Sequence, residues 1–273
     1  MDNVVALYNR HPINEGEVLS KLQADGKDLD ALQPADLLRY DQDHYGGTEA
    51  TDALADRIGL QPGMRVLDVC AGLGGTSRYL AWKYGCTVQG VDLTASRVAG
   101  AQALTERVCL QDRVSFLQAD ATQLAVSPAG FDAAIGQEAF IHIADKAALL
   151  GGCHRMLRDG GRLGFTDILG GPGLTEREQA RLREDIAFNA FVSADEYEAQ
   201  LRAAGFREVG REDLSPWWSR ILRDRLEMFR SLEAETVKRY GREAHDRYIA
   251  IYELFVDCME SGRLGGGRFV ATK

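Results

Sequence analysis

Between Met64 and Asp92 the chain reads MRVLDVCAGLGGTSRYLAWKYGCTVQGVD, and its hydrophobic pattern changes character twice within that stretch. Met64 to Val69 is an aliphatic run interrupted only by Arg65 and Asp68, which suits a buried parallel strand. Gly72, Gly74 and Gly75 then predict a tight turn, Thr76 to Tyr84 has helical spacing, and Cys86 to Val91 is a second strand ending in Asp92. The alternation continues. Thr94 can cap a helix reaching about Cys109, Arg113 to Gln118 returns as a third strand, and Phe131 to Gly136 is a fourth. Asp145 to Leu157 follows as a helix stopped by the Asp159-Gly160-Gly161 turn, and Arg162 to Ile168 is a fifth strand. Strands that alternate with helices predict an α/β fold, a doubly wound and mostly parallel sheet.

The flanks follow a different pattern. Residues 1–40 carry short apolar faces (Val4, Val5, Leu7 and Tyr8; Val18, Leu19 and Leu22; Leu37, Leu38 and Tyr40) broken by Pro12, Gly26 and Pro34. They predict two or three short helices, read here with the segment to residue 47 as a helical cap or lid (1–47) on a main domain (48–273). Thr48 is placed to cap a helix through Ile58. Beyond the fifth strand, Thr175 to Ala190 reads as a charged amphipathic helix, and Ser193-x-x-Glu196 opens another as a capping box. Phe206 to Leu214 and Arg268 to Lys273 read as strands, the latter after a Gly265-Gly266-Gly267 turn. About 50 residues separate these two strands, and two long helical patterns fill the gap as an insertion at about 215–262.

Composition removes several classes of function. The formal charge is −9 with a pI near 5.2, so there is no basic stripe for a polynucleotide. No apolar run has the length of a membrane span, and MDNVVALYNR lacks a secretory pattern, so the expected setting is cytoplasmic, with neither membrane nor nucleic acid as partner and a homodimer left open. The five cysteines are scattered without C-x-x-C spacing, which predicts neither a disulfide framework nor a metal site.

The candidate chemistry lies at the strand ends. A dinucleotide loop asks for G-x-G-x-x-G, but counting from Gly72 the sixth place is Ser77. Asp68 at the loop entrance would repel a diphosphate and attract a cation, so a sulfonium nucleoside fits better than a pyrophosphate. Asp92 and Asp120 fall at neighbouring rims of one crevice: Asp92 to accept two ribose hydroxyls, Asp120 to accept an adenine amine, and Ala121 to offer its amide. The loop Gln137 to His142 projects from the fourth strand beside the expected sulfonium.

The run V-L-D-V-C-A-G-L-G-G, followed by V-D-L, resembles the first two motifs of the class I S-adenosylmethionine (SAM) dependent methyltransferases. With D-Q-D-H-Y-G-G-T-E-A-T at 41–51 it resembles the small-molecule branch that includes sarcosine and dimethylglycine N-methyltransferases. Cys70 stands where that family's pattern has its first glycine. The resemblance covers roughly residues 40–170 and implies a Rossmann-like seven-stranded sheet whose last strand is antiparallel. It implies SAM as cofactor, giving S-adenosylhomocysteine (SAH), held by Tyr45, Asp68, Ala71, Gly72, Gly74, Asp92, Leu93, Asp120, Ala121 and Gln137. In the family the 40–47 segment lies over the methionine and the acceptor, which makes Tyr45 and His44 site candidates.

The expected reaction is in-line methyl transfer to a small-molecule acceptor, with a nitrogen ranked first by the resemblance and oxygen, carbon or sulfur as alternatives. Glu138, His142 and His44 are the candidates for positioning or deprotonating the acceptor, and Tyr40, Trp217 and Trp218 for binding it; no metal is expected. For Trp217-Trp218 a core-anchoring role is weighed against an aromatic wall for a cation. Readings from other classes are a SAM-binding regulator without turnover and a nicotinamide oxidoreductase, the latter opposed by Ser77 and Asp68.

Overall fold

The computed structural model describes residues 2–125 and 130–273. Three short helices open the chain: α1 (Asp2–Tyr8), α2 (Glu15–Ala24) and α3 (Pro34–Leu37). After α4 (Gly47–Ile58), strands and helices alternate as β1 (Arg65–Val69), α5 (Gly75–Tyr84), β2 (Thr87–Asp92), α6 (Ala95–Arg107) and β3 (Val114–Gln118). They continue as β4 (Phe131–Gln137), α7 (Lys146–Met156), β5 (Leu157–Gly170), α8 (Glu176–Ile186), α9 (Ala194–Ala203) and β6 (Arg207–Asp213). The last part is α10 (Ser215–Ser231), α11 (Glu233–Tyr240), α12 (Arg242–Glu260) and β7 (Leu264–Thr272).

Among the described residues one sheet of seven strands runs in the order β3-β2-β1-β4-β5-β7-β6. The strands from β1 to β5 pair in parallel, while β7 is antiparallel to both β5 and β6. The sheet is mixed for a simple reason: β7 returns from the helical insertion and slots between two strands that point the other way. Alternate residues of β1 bury on opposite faces. Leu67 and Val69 pack toward α7 and α9, and Val66 toward α4, α5 and α6, so both faces of the central strand are covered by helices. Chain order reverses between β1 and β4, and such switch points open a crevice at the carboxyl ends of the strands.

Several expectations shift in detail. Gly46 (φ 81°), rather than Thr48, stands at the N-cap of α4 and makes no side-chain cap bond. The Asp159-Gly160-Gly161 turn is an excursion inside a longer β5: the register with β4 jumps from Phe131↔Leu157 to Ala133↔Arg162. Gly265-Gly266-Gly267 forms no turn and lies within β7, where a Cβ on Gly266 would sit 2.3 Å from the Trp218 ring. The glycine run is therefore a bare patch of strand on which an indole lies flat. The insertion holds three helices rather than two, and its buried stripe (Trp218, Leu222, Leu226, Ile251, Phe255) joins Leu182 of α8 and Ile141 in a separate core. α2 and α3 are anchored through Val18, Leu22 and Leu37, which pack with Leu73 and Leu104 beside the glycine loop and α6.

Candidate active site

β1 leaves the sheet at the switch point, and the loop after it turns through left-handed backbone at Cys70 (φ 63°), Gly72 (φ 55°) and Gly74 (φ 76°). Cys70 adopts the conformation despite its Cβ, at a cost of about 1–2 kcal/mol relative to a glycine. Burial pushes its thiol well above the ordinary range, so it stays protonated. Gly72 has open space where a Cβ would lie, whereas a Cβ on Gly74 would meet the Phe116 ring at 2.3 Å. Gly72 thus faces the crevice, and Gly74 lets β3 approach.

The carboxylates at the strand ends are held by backbone. Asp92 accepts the N–H of Gly72 and of Thr94, each at 2.9 Å, one on each oxygen. Each oxygen keeps further acceptor capacity, so the pair can receive two hydroxyls side by side. Asp120 accepts the Thr122 amide and hydroxyl through one oxygen, both at 2.8 Å. Asp68 is 3% exposed and accepts the Ser77 hydroxyl at 2.6 Å; burial, opposed by that bond and reinforced by the Asp92 charge, pushes it up to about 6. Two anions under one loop destabilise each other, and a cationic ligand above them relieves that strain where a pyrophosphate would increase it. By the chemistry of these donors and acceptors, the site fits a sulfonium nucleoside.

The other end of the crevice is built from side chains. Glu138, in left-handed backbone (φ 49°) just past β4, accepts the amide of Tyr45 and, at 2.7 Å, the Thr166 hydroxyl. Burial pushes its carboxyl up to about 7 against those two bonds. His142 Nδ1 lies 2.8 Å from the Ala187 carbonyl, which can only accept, so that nitrogen carries the hydrogen and Nε2 is the acceptor. The Tyr8 hydroxyl, 3.1 Å from Nε2, donates to it. Burial lowers His142 to about 4, so this arrangement holds at neutral pH. Asn189 Nδ2 donates to the His142 carbonyl at 3.0 Å, and Asn3 Nδ2 to Asn189 Oδ1 at 3.0 Å, which seats α1 over the loop. His44, also lowered to about 4 by burial, sits among Gln42, Thr51 and Gln137, while Gln137 accepts the Thr76 hydroxyl at 2.8 Å.

A cavity of about 600 Å³ joins the two ends, within the range of small-molecule sites. Asp68, Ala71, Gly72, Asp92, Leu93, Asp120, Ala121, Gln137, Glu138, His142 and His44 all line it. Five of the sequence candidates lie elsewhere. Gly74 is structural, and the Tyr40 hydroxyl donates to Asp25 on the outer side of the cap. Tyr45 turns its ring onto Trp218 (5.2 Å, edge-on) and under Arg225 (4.7 Å), reaching Glu138 through its amide alone. Trp218 is 0% exposed, and the Trp217 ring fills the space above Gly46. Both indoles anchor the insertion instead of forming an aromatic wall. Sequence reasoning missed Tyr8, Asn3, Asn189 and Asp145 as lining residues; Tyr8 was visible only as part of an apolar helix face.

Residues 66–161 match a family model described as a methyltransferase domain. Phosphoethanolamine N-methyltransferase 1 of Zea mays is 29% identical over 243 residues, 87% of this chain and 48% of its own length. The chain thus spans about half the length of the curated relatives of that kind. The 27-O-demethylrifamycin SV methyltransferase of Amycolatopsis mediterranei is 34% identical over 180 residues, 63% of this chain and 66% of its own. A solved structure from Galdieria sulphuraria, described as a sarcosine dimethylglycine methyltransferase, superposes with a TM-score of 0.77 at 17% identity, covering 95% of this chain and 98% of that one.

Proposed function

We propose that this chain, a class I SAM-dependent methyltransferase by its domain and fold, moves the methyl of SAM to the nitrogen of a small amine. The observation that carries the reading is the junction of two unlike ends in one cavity. Backbone-held carboxylates suited to a cationic nucleoside stand at one end, and a carboxyl near neutrality with an unprotonated imidazole at the other.

SAM supplies an electrophilic methyl on a positive sulfur. Asp92 binds the ribose hydroxyls, Asp120 and the Ala121 amide bind the adenine edge, and Asp68 offsets the positive charge at the loop. Little covalent help is needed beyond a lone pair held about 3 Å from the methyl with water excluded. Glu138 draws in the ammonium form of the amine and accepts its proton, a task suited to a carboxyl near 7. The Tyr8–His142 pair orients the acceptor: a tyrosine proton directed onto Nε2 leaves the phenol oxygen facing the cavity as an acceptor for an N–H. Within the N-terminal segment α1 acts as the lid, because its Tyr8 and Asn3 side chains bond to His142 and Asn189, whereas α2 and α3 are anchored in a buried cluster. A hydroxyl acceptor is the second reading, favoured by the Tyr8 hydroxyl that lines the cavity within hydrogen-bond reach of the unprotonated Nε2 of His142. Incubation with labelled SAM and a panel of amines and alcohols, with mass spectrometry for a gain of one methyl, tests both; transfer to carbon alone, or to nothing, overturns them.

A further inference from the structure

We propose that the acceptor carries no phosphate: it is an amine, or an amine with a single carboxylate, recognised by its positive nitrogen. The inference rests on the amine-methylation reading above and departs from the phosphoethanolamine enzymes to which the chain is similar.

A phosphate monoester brings nearly two negative charges at neutral pH, and proteins meet it with clustered guanidinium or ammonium groups or with free amides at a helix start. The cavity has the opposite balance. Asp41 is ion-paired to Arg78 at 2.8 Å and Asp43 lies 4.0 Å from Arg97; beyond these, the described lining presents the carboxylates of Asp145 and Glu138 at the acceptor end and of Asp68, Asp92 and Asp120 at the cofactor end. Against these stands one guanidinium, Arg183, exposed at the mouth. Its two histidines are unprotonated at neutral pH, and His142 spends its one N–H on Ala187.

The cations packed behind the wall are not among the described lining residues. Arg97 donates through Nη1 to the Ile13 carbonyl at 2.6 Å, lies against the Tyr8 ring and sits 4.0 Å from Asp43, with Nε and Nη2 enclosed and unpartnered; Lys146 donates to the Phe140 carbonyl and sits 3.7 Å from Asp167; Arg225 donates to the His44 carbonyl at 3.2 Å. The helix starts facing the cavity already have anions beside them. The Asp145 carboxylate caps α7 through the Ala148 amide, placing an anion where a phosphate would sit, and the start of α5, which no N-cap side chain covers, directs the Ser77 amide and hydroxyl to Asp68. A dianion entering this cavity would lose its hydration and meet repulsion, while an ammonium would be attracted throughout. Arg183, with Asn3 and Asn189 near it on the rim, can match one carboxylate, which is why an amino-acid type of acceptor stays within the class.

The test uses pairs that differ only by the phosphate: ethanolamine against phosphoethanolamine, and serine against phosphoserine, each with the full chain and SAM, followed by mass spectrometry. The free amine of a pair is expected to show kcat/KM at least about 10-fold above its phosphorylated partner. A phosphorylated member that is equal or better overturns the proposal. In parallel, phosphoethanolamine and inorganic phosphate are titrated into SAH-saturated protein by calorimetry. The absence of saturable heat supports the proposal, and saturable binding that Arg183→Gln abolishes overturns it, even if neither pair contains the true acceptor. Methylation found on oxygen or carbon would instead sink the amine reading and leave the phosphate titrations to be judged separately.

Discussion

The two ends of the cavity, proposed above to hold the nucleoside and the acceptor, are built on opposite principles. At the first, Asp92, Asp120 and Gly72 sit on consecutive strand ends, and their carboxylates are fixed by amides at most two residues away or in the adjacent loop. At the second, Glu138 is fixed by Tyr45 and Thr166, and His142 by Tyr8 and Ala187, from segments 28 to 134 residues distant in sequence. A site made from local backbone survives wherever the fold survives. One made by distant side chains depends on several segments being seated together, and under the proposed lid reading closure of α1 would complete it. The contrast teaches that cofactor and acceptor binding here can fail independently.

The largest effect should come from breaking the acceptor end alone. Glu138→Gln keeps the size and the bond to the Tyr45 amide but removes the proton acceptor, and should lower kcat by about 10²- to 10⁴-fold while SAH affinity stays within a few-fold. In the wild type, kcat/KM should rise through about pH 7 as Glu138 ionises, and the variant should show only the amine's own ionisation. The same shift has a stability side. Because the folded carboxyl is raised from its ordinary 4.5 to about 7, the folded state holds the proton longer than the unfolded chain. Its contribution is complete below about pH 4.5 and is lost as pH rises through about 7, so Glu138→Gln should flatten the decline of Tm between those values. A pH–rate profile and a thermal melt across pH check both. A pH–rate inflection persisting near 7 in Glu138→Gln would move the base elsewhere.

Breaking the nucleoside end comes next. Asp92→Ala removes both hydroxyl acceptors and also leaves the Gly72 and Thr94 amides unpaired, so it should weaken SAH by about 2–3 kcal/mol, roughly 30- to 150-fold in Kd. Calorimetry reads this directly, and wild-type affinity would refute the ribose assignment.

The same contrast governs what was legible in the chain. Order of elements, sheet class and the strand-end carboxylates could be read because each depends on short-range periodicity: Val66 and Leu67 bury on opposite faces whatever happens at the termini. Gly265 to Gly267 misled because glycine signals a turn unless something needs a bare strand, and the requirement comes from Trp218, about 50 residues upstream. Trp217 and Trp218 invited a ligand reading for their chemistry, yet Trp218 is completely enclosed by a second core and the partly buried Trp217 is packed against that core and over Gly46. Tyr8 went unnoticed for the mirror-image reason: its hydroxyl matters only through His142, and no local pattern links the two.

A smaller effect probes the cap itself. If closure seats α1 through its Tyr8 and Asn3 contacts, amides of α1 should exchange quickly in the free protein and more slowly with SAH and an amine bound, as expected of an element drawn from the low-stability end of a fold. Equal exchange in both states would mean a fixed cap.

The smallest expected effect sharpens the comparison most. Tyr8→Phe removes one hydroxyl and leaves the ring stacked on His11, edge-on to His142 and against the Arg97 guanidinium, so α1 should still seat. What is lost is the donor to Nε2 and the phenol oxygen facing the cavity, a single hydrogen bond worth about 0.5–1.5 kcal/mol. The rate should therefore fall by about 10-fold or less, with SAH affinity unchanged because Tyr8 makes no contact assigned to the nucleoside. Freed from Tyr8, Nε2 of His142 becomes an open acceptor in the cavity, while Nδ1 still donates to Ala187. A His142→Ala change made on top of Tyr8→Phe should then cost less than His142→Ala made alone, since the two residues act as one unit. Full additivity of the two losses in kcat would show that Tyr8 and His142 serve the acceptor separately, and that the N-terminal helix contributes only shape.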